Sequence, residues 1–243
     1  TTISRSDLVA AAKRSDVALG FETSTGVSYA TVARRGASEW RLEASGMKAH
    51  SAGIFDEEVG AGAIFELARI LHRFYGEIRG EEYLTFNPAL VLGGDRTEYN
   101  DSLGLGTASG KLNIVPQTAL ATGDLRFISD VQKERIRESM RRIVSDHLPG
   151  TSATISFKDL NPAMPPTEGN YRLLRLLSQV SQDFGQGEVK AWNPGQRGGG
   201  DVSFVAQYTD CLDGLGVLGD GAHSTKESVD LRTMDNLATR AAI

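Results

Sequence analysis

Asn161-Pro162-Ala163-Met164-Pro165-Pro166 decides how this 243-residue chain is divided. Its three prolines cannot continue a helix or a paired strand, so the chain must change character across them. Beyond them the texture is α/β. Residues 170–184 read as a helix with Leu173, Leu174, Leu177 and Val180 inward, and 189–192 as a short strand. Gly198-Gly199-Gly200-Asp201 then opens a helix through Val202, Phe204, Val205 and Tyr208. Those glycines either leave backbone N–H groups free for an anion or carbonyl oxygen, or form a tight turn with Asp201 as N-cap. A strand over 215–218 feeds Gly219-Asp220-Gly221-Ala222-His223-Ser224, and residues 231–243 close the chain as a helix. His223 reads equally as an exposed loop residue and as a metal ligand at a strand end, which Asp220 or Glu227 would orient.

Upstream of the prolines, Ser4-Arg5-Ser6-Asp7 caps a short amphipathic helix, and residues 16–21 form a buried strand ending on Glu22. A carboxylate there is first a cap or solvated loop group, and second a ligand. From Gly26 the texture changes. Val27, Tyr29, Thr31 and Ala33 alternate with smaller or polar residues, as do Trp40, Leu42 and Ala44 after the turn at Arg35-Gly36, which predicts a hairpin. A helix over 56–75 follows, with Val59, Ala63, Leu67, Leu71 and Phe74 inward. Asn87-Pro88 marks residues 83–92 as an edge strand, and the aperiodic, Gly-rich 93–110 predicts a surface loop. Strands over 110–115 and 119–127, a helix opened by the capping box Ser129-Asp130-Val131-Gln132, and a strand over 153–157 complete the stretch. Residues 26–160 are therefore expected as a four-stranded antiparallel sheet with two helices on one face, in the ferredoxin-like split βαβ order.

Composition narrows the partners. The net charge is −5, and no basic run is interleaved with aromatics, so nucleic acid is not expected. No apolar stretch approaches the length of a membrane span. The single cysteine, Cys211, excludes a disulfide framework and a Cys-rich zinc site, leaving His and carboxylates for any metal. The start, Thr1-Thr2-Ile3-Ser4, does not read as a signal peptide and has no initiator Met, so residue 1 is not expected to be the natural N-terminus.

Residues 1–25 and 161–243 thus read as pieces of one α/β domain interrupted by an inserted α+β domain, 26–160. With Phe21-Glu22, Lys48-Ala49-His50-Ser51-Ala52-Gly53, Gly60-Ala61-Gly62-Ala63, Asn113-Ile114-Val115-Pro116, Asp124-Leu125-Arg126, Gly198-Gly199-Gly200-Asp201 and Gly221-Ala222-His223-Ser224 in order, the chain resembles the M20 family of zinc metallopeptidases, most closely its glutamate-carboxypeptidase-like members. The resemblance implies an α/β catalytic-domain remnant, mostly parallel, interrupted by a ferredoxin-like lid and dimerisation domain. It implies Glu22 on one zinc of a pair and His223 on the other. His50 would stabilise the oxyanion in the partner subunit's site. Arg126 would hold the substrate's terminal carboxylate, assisted by Asn113 and lined by the Gly199 and Gly200 backbone. Gly200 stands where many relatives carry Thr or Ser.

The resemblance also implies an absence. The family's first segment carries a His ligand, a bridging Asp, a general-base Glu and an adjacent Glu ligand, and residue 1 falls just after it. Two zinc ions per intact subunit are therefore expected to be absent or incomplete in this chain, and the chain alone to be inactive. The intact enzyme would release a C-terminal amino acid from a small peptide or an N-acyl or N-carbamoyl amino acid, as a soluble homodimer joined through the inserted domain, cytoplasmic or periplasmic. The alternative is a non-catalytic dimerisation or binding module of the same family.

Overall fold

The structure, a computed structural model, describes residues 2–242. Thr1 and Ile243, the ends of the expected first and last segments, lie outside the described residues. In chain order the elements are α1 (Thr2–Ala12), β1 (Val17–Leu19), β2 (Tyr29–Ala30), β3 (Gly36–Gly46), α2 (Ala63–Glu77), β4 (Thr85–Gly94), β5 (Arg96–Asn100), β6 (Leu105–Ser109) and β7 (Thr118–Phe127). Then come α3 (Asp130–Ser145), β8 (Thr151–Asn161), α4 (Glu168–Asp183), β9 (Lys190–Ala191), β10 (Asp210–Leu212), β11 (Gly219–Asp220), β12 (Ser228–Val229) and α5 (Met234–Ala242). No described helix is long and apolar enough to cross a membrane.

The chain forms two compact units. The first holds residues 1–37, 127–130 and 161–243, and the second 38–126 and 131–160. Residues 26–37, which the sequence assigns to the inserted domain, lie in the first unit. The expected hairpin around Arg35-Gly36 does not form. β2 instead pairs in parallel with β9, and β3 belongs to a different sheet. Alternation fixes which face of a strand is buried but not its partner, and here the partners, Tyr29 with Lys190 and Ala30 with Ala191, lie 161 positions apart.

The first unit is built around parallel pairs, β1 with β10 and β2 with β9. Ala30, Val32, Ala33, Leu174, Leu177, Val189, Leu212 and Leu215 form one core cluster, and Ala12, Met164, Val202, Val205 and Cys211 another. β1 forms where expected but is not buried: Val17 and Leu19 are 39% and 40% exposed, and Phe21 beyond it 60%. The proline stretch is integral to this unit, since Arg34 and Met164 exchange both backbone hydrogen bonds. Buried Asn170, on the first turn of α4, secures it further. Its amide donates to the carbonyls of Val32 and Pro165, and its Oδ1 accepts from the Cys211 N–H at 2.8 Å.

The second unit carries the four-stranded sheet in the order β4-β7-β3-β8, with α2 and α3 in the two crossovers, the expected split βαβ order. Trp40, Leu42 and Ala44 point inward from β3, and Trp40 meets Phe74 of α2 edge to face at 6.2 Å. β4 is an edge strand, with an irregularity between Pro88 and Leu90 where the proline lacks an N–H. α2 starts seven residues later than its periodicity suggests. Gly60 and Gly62 hold φ of +72° and +76°, which a helix cannot include and which Gly alone adopts without strain. Residues 93–110 are not a loop. They finish β4 and form the antiparallel ribbon β5–β6.

Glu66, fully buried on α2, ties this helix to the end of α3. It accepts from Arg69 at 2.6 Å and from the Leu148 N–H at 2.9 Å, and His147 Nδ1 lies 3.4 Å away. Burial pushes the carboxyl up, but these donors together hold it below its ordinary value. Removing its charge leaves Arg69 half-partnered, so Glu66→Gln should cost about 2–3 kcal/mol of unfolding free energy at pH 7. Because the folded value is the lower one, that stability is present above the unfolded value of about 4.3 and is lost as pH falls through the folded one. Urea titrations of both proteins at pH 7 and pH 3 should show the difference shrinking at the lower pH.

Candidate functional site

In the second unit, His50 sits where β3 has given way to a single 3-10 turn over Ser51–Gly53. His50 bridges Ile114, and the Ser51 N–H donates to the Asn113 carbonyl at 2.9 Å, so His50 and Asn113 are neighbours. The His50 Nδ1 accepts from the Ala52 N–H at 3.1 Å. An accepting Nδ1 carries no proton, which puts the hydrogen of the neutral ring on Nε2 and leaves that N–H to donate outward from an exposed side chain.

Arg126 is not with them. It lies next to last on β7, paired with Thr85, whereas the segment bearing Asn113 joins the other end of that strand at Thr118. Eight strand steps separate Thr118 from Arg126, about 26 Å at the usual rise. Arg126 projects with Asp124 from the sheet face opposite the Trp40 side, and its Nε donates to Asp124 Oδ2 at 2.8 Å. A groove of about 770 Å³ runs there between the sheet and the β5–β6 ribbon, lined by Arg41, Tyr99, Asp101, Arg126 and Lys158 among others. The structure thus joins Asn113 to His50 rather than to Arg126.

In the first unit, Glu22 lies just past β1 in a concavity of about 390 Å³ shared with Asp201 and Asp213. Gly199 and Gly200 precede a four-residue 3-10 turn, Asp201–Phe204, rather than the expected helix. The cap is Gly200, with no side-chain bond, so Asp201 is not the N-cap. His223 tops the β11–β12 hairpin with φ +65°, exposed. The expected strand over 215–218 is irregular chain bonded to residues 20–24. Neither Asp220 nor Glu227 hydrogen-bonds to the His223 ring among the described residues. Nor do the described residues contain a group of three or more His, Cys, Asp or Glu able to hold a metal. Glu22 and His223 therefore do not fit a metal centre by themselves.

Sequence reasoning missed the buried ion pair beside this loop. Arg34 Nε donates to Asp213 Oδ2 at 2.5 Å, with the two side chains 5% and 0% exposed. Arg34 Nη1 donates to the Gly198 carbonyl at 3.1 Å, and Asp213 Oδ1 accepts from the Gly214 N–H at 2.6 Å. A side chain at Gly20 would overlap Asp213, and one at Gly200 would press on Arg34. The only sequence signal was a pair of arginines following apolar Val32-Ala33.

Residues 32–152 match the family model for M20_dimer, the peptidase dimerisation domain. Among solved structures, the chain is similar to the aminopeptidase PepT of Bacillus cereus ATCC 10987, with a TM-score of 0.67 and 15% identity over 98% of this chain and 60% of that one. A tripeptidase of Staphylococcus aureus subsp. aureus mu50 gives 0.63 and 16% over 93% and 55%. The YXEP protein of Bacillus subtilis, a dinuclear metal binding peptidase from the M20 family, gives 0.61 and 14% over 93% and 55%. At these identities the likeness is one of fold, and the chain spans 60% or less of each. No curated protein matches it.

Removing one partner of a buried pair strands the other charge. Arg34→Met should therefore destabilise the protein by about 3–5 kcal/mol, and adding Asp213→Leu should recover most of that loss, read from guanidinium unfolding midpoints.

Proposed function

The chain belongs to the M20 peptidase family, and on that premise we propose that it is the C-terminal part of a dinuclear zinc hydrolase that releases a C-terminal amino acid by amide cleavage. The substrates in this reading are small peptides or N-acyl or N-carbamoyl amino acids, and the chain alone is inactive. Glu22 and His223 each supply one ligand to a centre completed by residues outside these 243. The exposed apolar residues Val17, Leu19 and Phe21 support it, since a strand of that composition suits a covered position.

The separation of His50 and Asn113 from Arg126 carries the reading furthest. A dipeptide spans about 7 Å, so one bound molecule cannot touch both ends of a sheet about 26 Å apart. Arg126 reads the terminal carboxylate of a substrate in one copy's site, and His50 serves the site of the partner. Its Nε2–H, fixed by the Ala52 bond, is the donor aimed at the oxyanion that develops as the amide carbon becomes tetrahedral. Asn113 stands with it, and the Gly199 and Gly200 backbone lines the substrate pocket.

A second reading is favoured by the family match falling on residues 32–152, which include most of the second unit. In that reading the chain is a non-catalytic dimerisation or binding module. Light scattering with metal analysis separates the two: a metal-free dimer that gains no activity when joined to the rest of an intact enzyme favours the module.

In the intact enzyme, His50→Ala and Arg126→Ala should each be nearly inactive, and mixing them should restore activity. Random exchange gives hybrids in half the dimers with one of two sites whole, so about a quarter of wild-type turnover is expected. No recovery on mixing would mean that both residues serve one site within one copy.

A further inference from the structure

The groove that carries Arg126 has a wall to which the M20 reading gives no role, the β5–β6 ribbon. Thr97 and Tyr99 alternate on one face of β5, and Asp101 follows on the connecting turn. That face is held toward the sheet at two points. Thr97 Oγ1 donates to Thr118 Oγ1 at 3.2 Å, and Arg41 of β3 donates to Asp101 at 3.1 Å. Tyr99 lies between these ties, with its ring 5.6 Å from the Arg41 guanidinium. The ring is thereby fixed as one wall of the groove of about 770 Å³, and every lining residue belongs to the second unit.

Charge inside the groove is already matched. Glu39 accepts from Lys158 at 3.2 Å, Asp101 from Arg41 at 3.1 Å and Asp124 from Arg126 at 2.8 Å, so the carboxylates and cations of the lining pair among themselves. An acidic group entering would have to displace one of these carboxylates, and a basic group one of these cations. Arg126 is suited to one such contact. Among the described residues it donates only its Nε, which leaves both Nη groups for a terminal carboxylate. The lining also includes Ala89, Tyr99, Phe157 and Leu160, whose apolar atoms gain by being covered. A terminal Gly or Ala would leave most of this space empty.

We propose that the groove receives the side chain of the substrate's terminal residue, that Tyr99 is its specificity-determining wall, and that the side chain it takes is aromatic. The proposal rests on the reading in which Arg126 holds the terminal carboxylate, and adds which substrates of that kind are preferred. An aromatic ring meets Tyr99 edge to face or offset and disturbs no ion pair. A Glu or Lys side chain needs a partner that the matched charges do not leave free.

Titrations of the purified chain followed by NMR test it, because the groove lies within one unit and the probes need not be hydrolysed. N-acetyltyrosine should bind about tenfold more tightly than N-acetylglycine, the gain from covering most of an aromatic side chain, and N-acetylglutamate no more tightly than N-acetylglycine. Tyr99→Ala should erase the preference for the tyrosine compound, whereas Arg126→Gln should weaken all three. If Tyr99→Ala unfolds by circular dichroism, the site is read in the wild-type chain, where N-acetyltyrosine should shift the amide signals of residues 97–101. Equal affinity for N-acetyltyrosinamide would overturn the carboxylate role of Arg126 and with it the proposal. Equal binding of the tyrosine and glycine compounds, both weakened by Arg126→Gln, would overturn the pocket and leave that role standing. No binding of N-acetyltyrosine, a preference for N-acetylglutamate, or shifts confined to the first unit would also overturn the proposal.

Discussion

Asp213 has no solvent exposure, and a carboxylate in that position must be paired or it would cost several kcal/mol. Arg34 and the Gly214 N–H meet the need, and in doing so fix four distant parts of the chain. The Arg34 Nη1 bond holds the Gly198 carbonyl, so the Gly-rich loop is positioned from the side by a charge rather than from its end by a helix cap. Gly20 and Gly200 can approach the pair only because they have no Cβ. The stretch carrying Glu22 thus begins two residues from a contact with Asp213, and the loop bearing Gly199 begins at a contact with Arg34.

The proline stretch shows the same economy. Prolines 162, 165 and 166 bar regular pairing, yet Met164 between them exchanges two backbone bonds with Arg34, and Asn170 accepts and donates across to Val32, Pro165 and Cys211. One amide side chain satisfies three backbone groups, the Pro165 carbonyl within the stretch and the Val32 carbonyl and Cys211 N–H outside it. A segment that reads as a spacer is part of the core it appears to leave.

What was legible from residues alone follows from the range of the signal. The helices α2, α3 and α4 and the order of the four-stranded sheet were readable, because apolar periodicity and crossover length are local properties. The β5–β6 ribbon was missed because Gly and Ser dilute its alternation, although Thr97 and Tyr99 alternate and Asn100-Asp101 begins a turn. The partner of β2, and the pairing of Arg34 with Asp213 across 179 positions, leave no local trace. For the candidate site, His50 and its neighbours could be singled out by motif, but which of them stand together could not. Asn113 joins His50 through the Ser51 bond, and only the backbone path around Pro116 decides that.

That division has a physical consequence for how specificity can arise. A ten-residue strand in the middle of a sheet, bonded on both sides, is among the stiffest spacers a protein has. Arg126 stands near one end of that strand and His50, bridged to Ile114, lies beyond the other, so loop motion cannot bring one to the other within a copy. Within one copy, no molecule the size of a dipeptide can reach both. The edges of the sheet are β4 with its proline irregularity and β8 with its Ser, Thr and Lys residues, and each limits the pairing of a further strand in its own way. Pro88 removes one N–H from the β4 edge, and Lys158 with Asp159 puts charge at one end of β8.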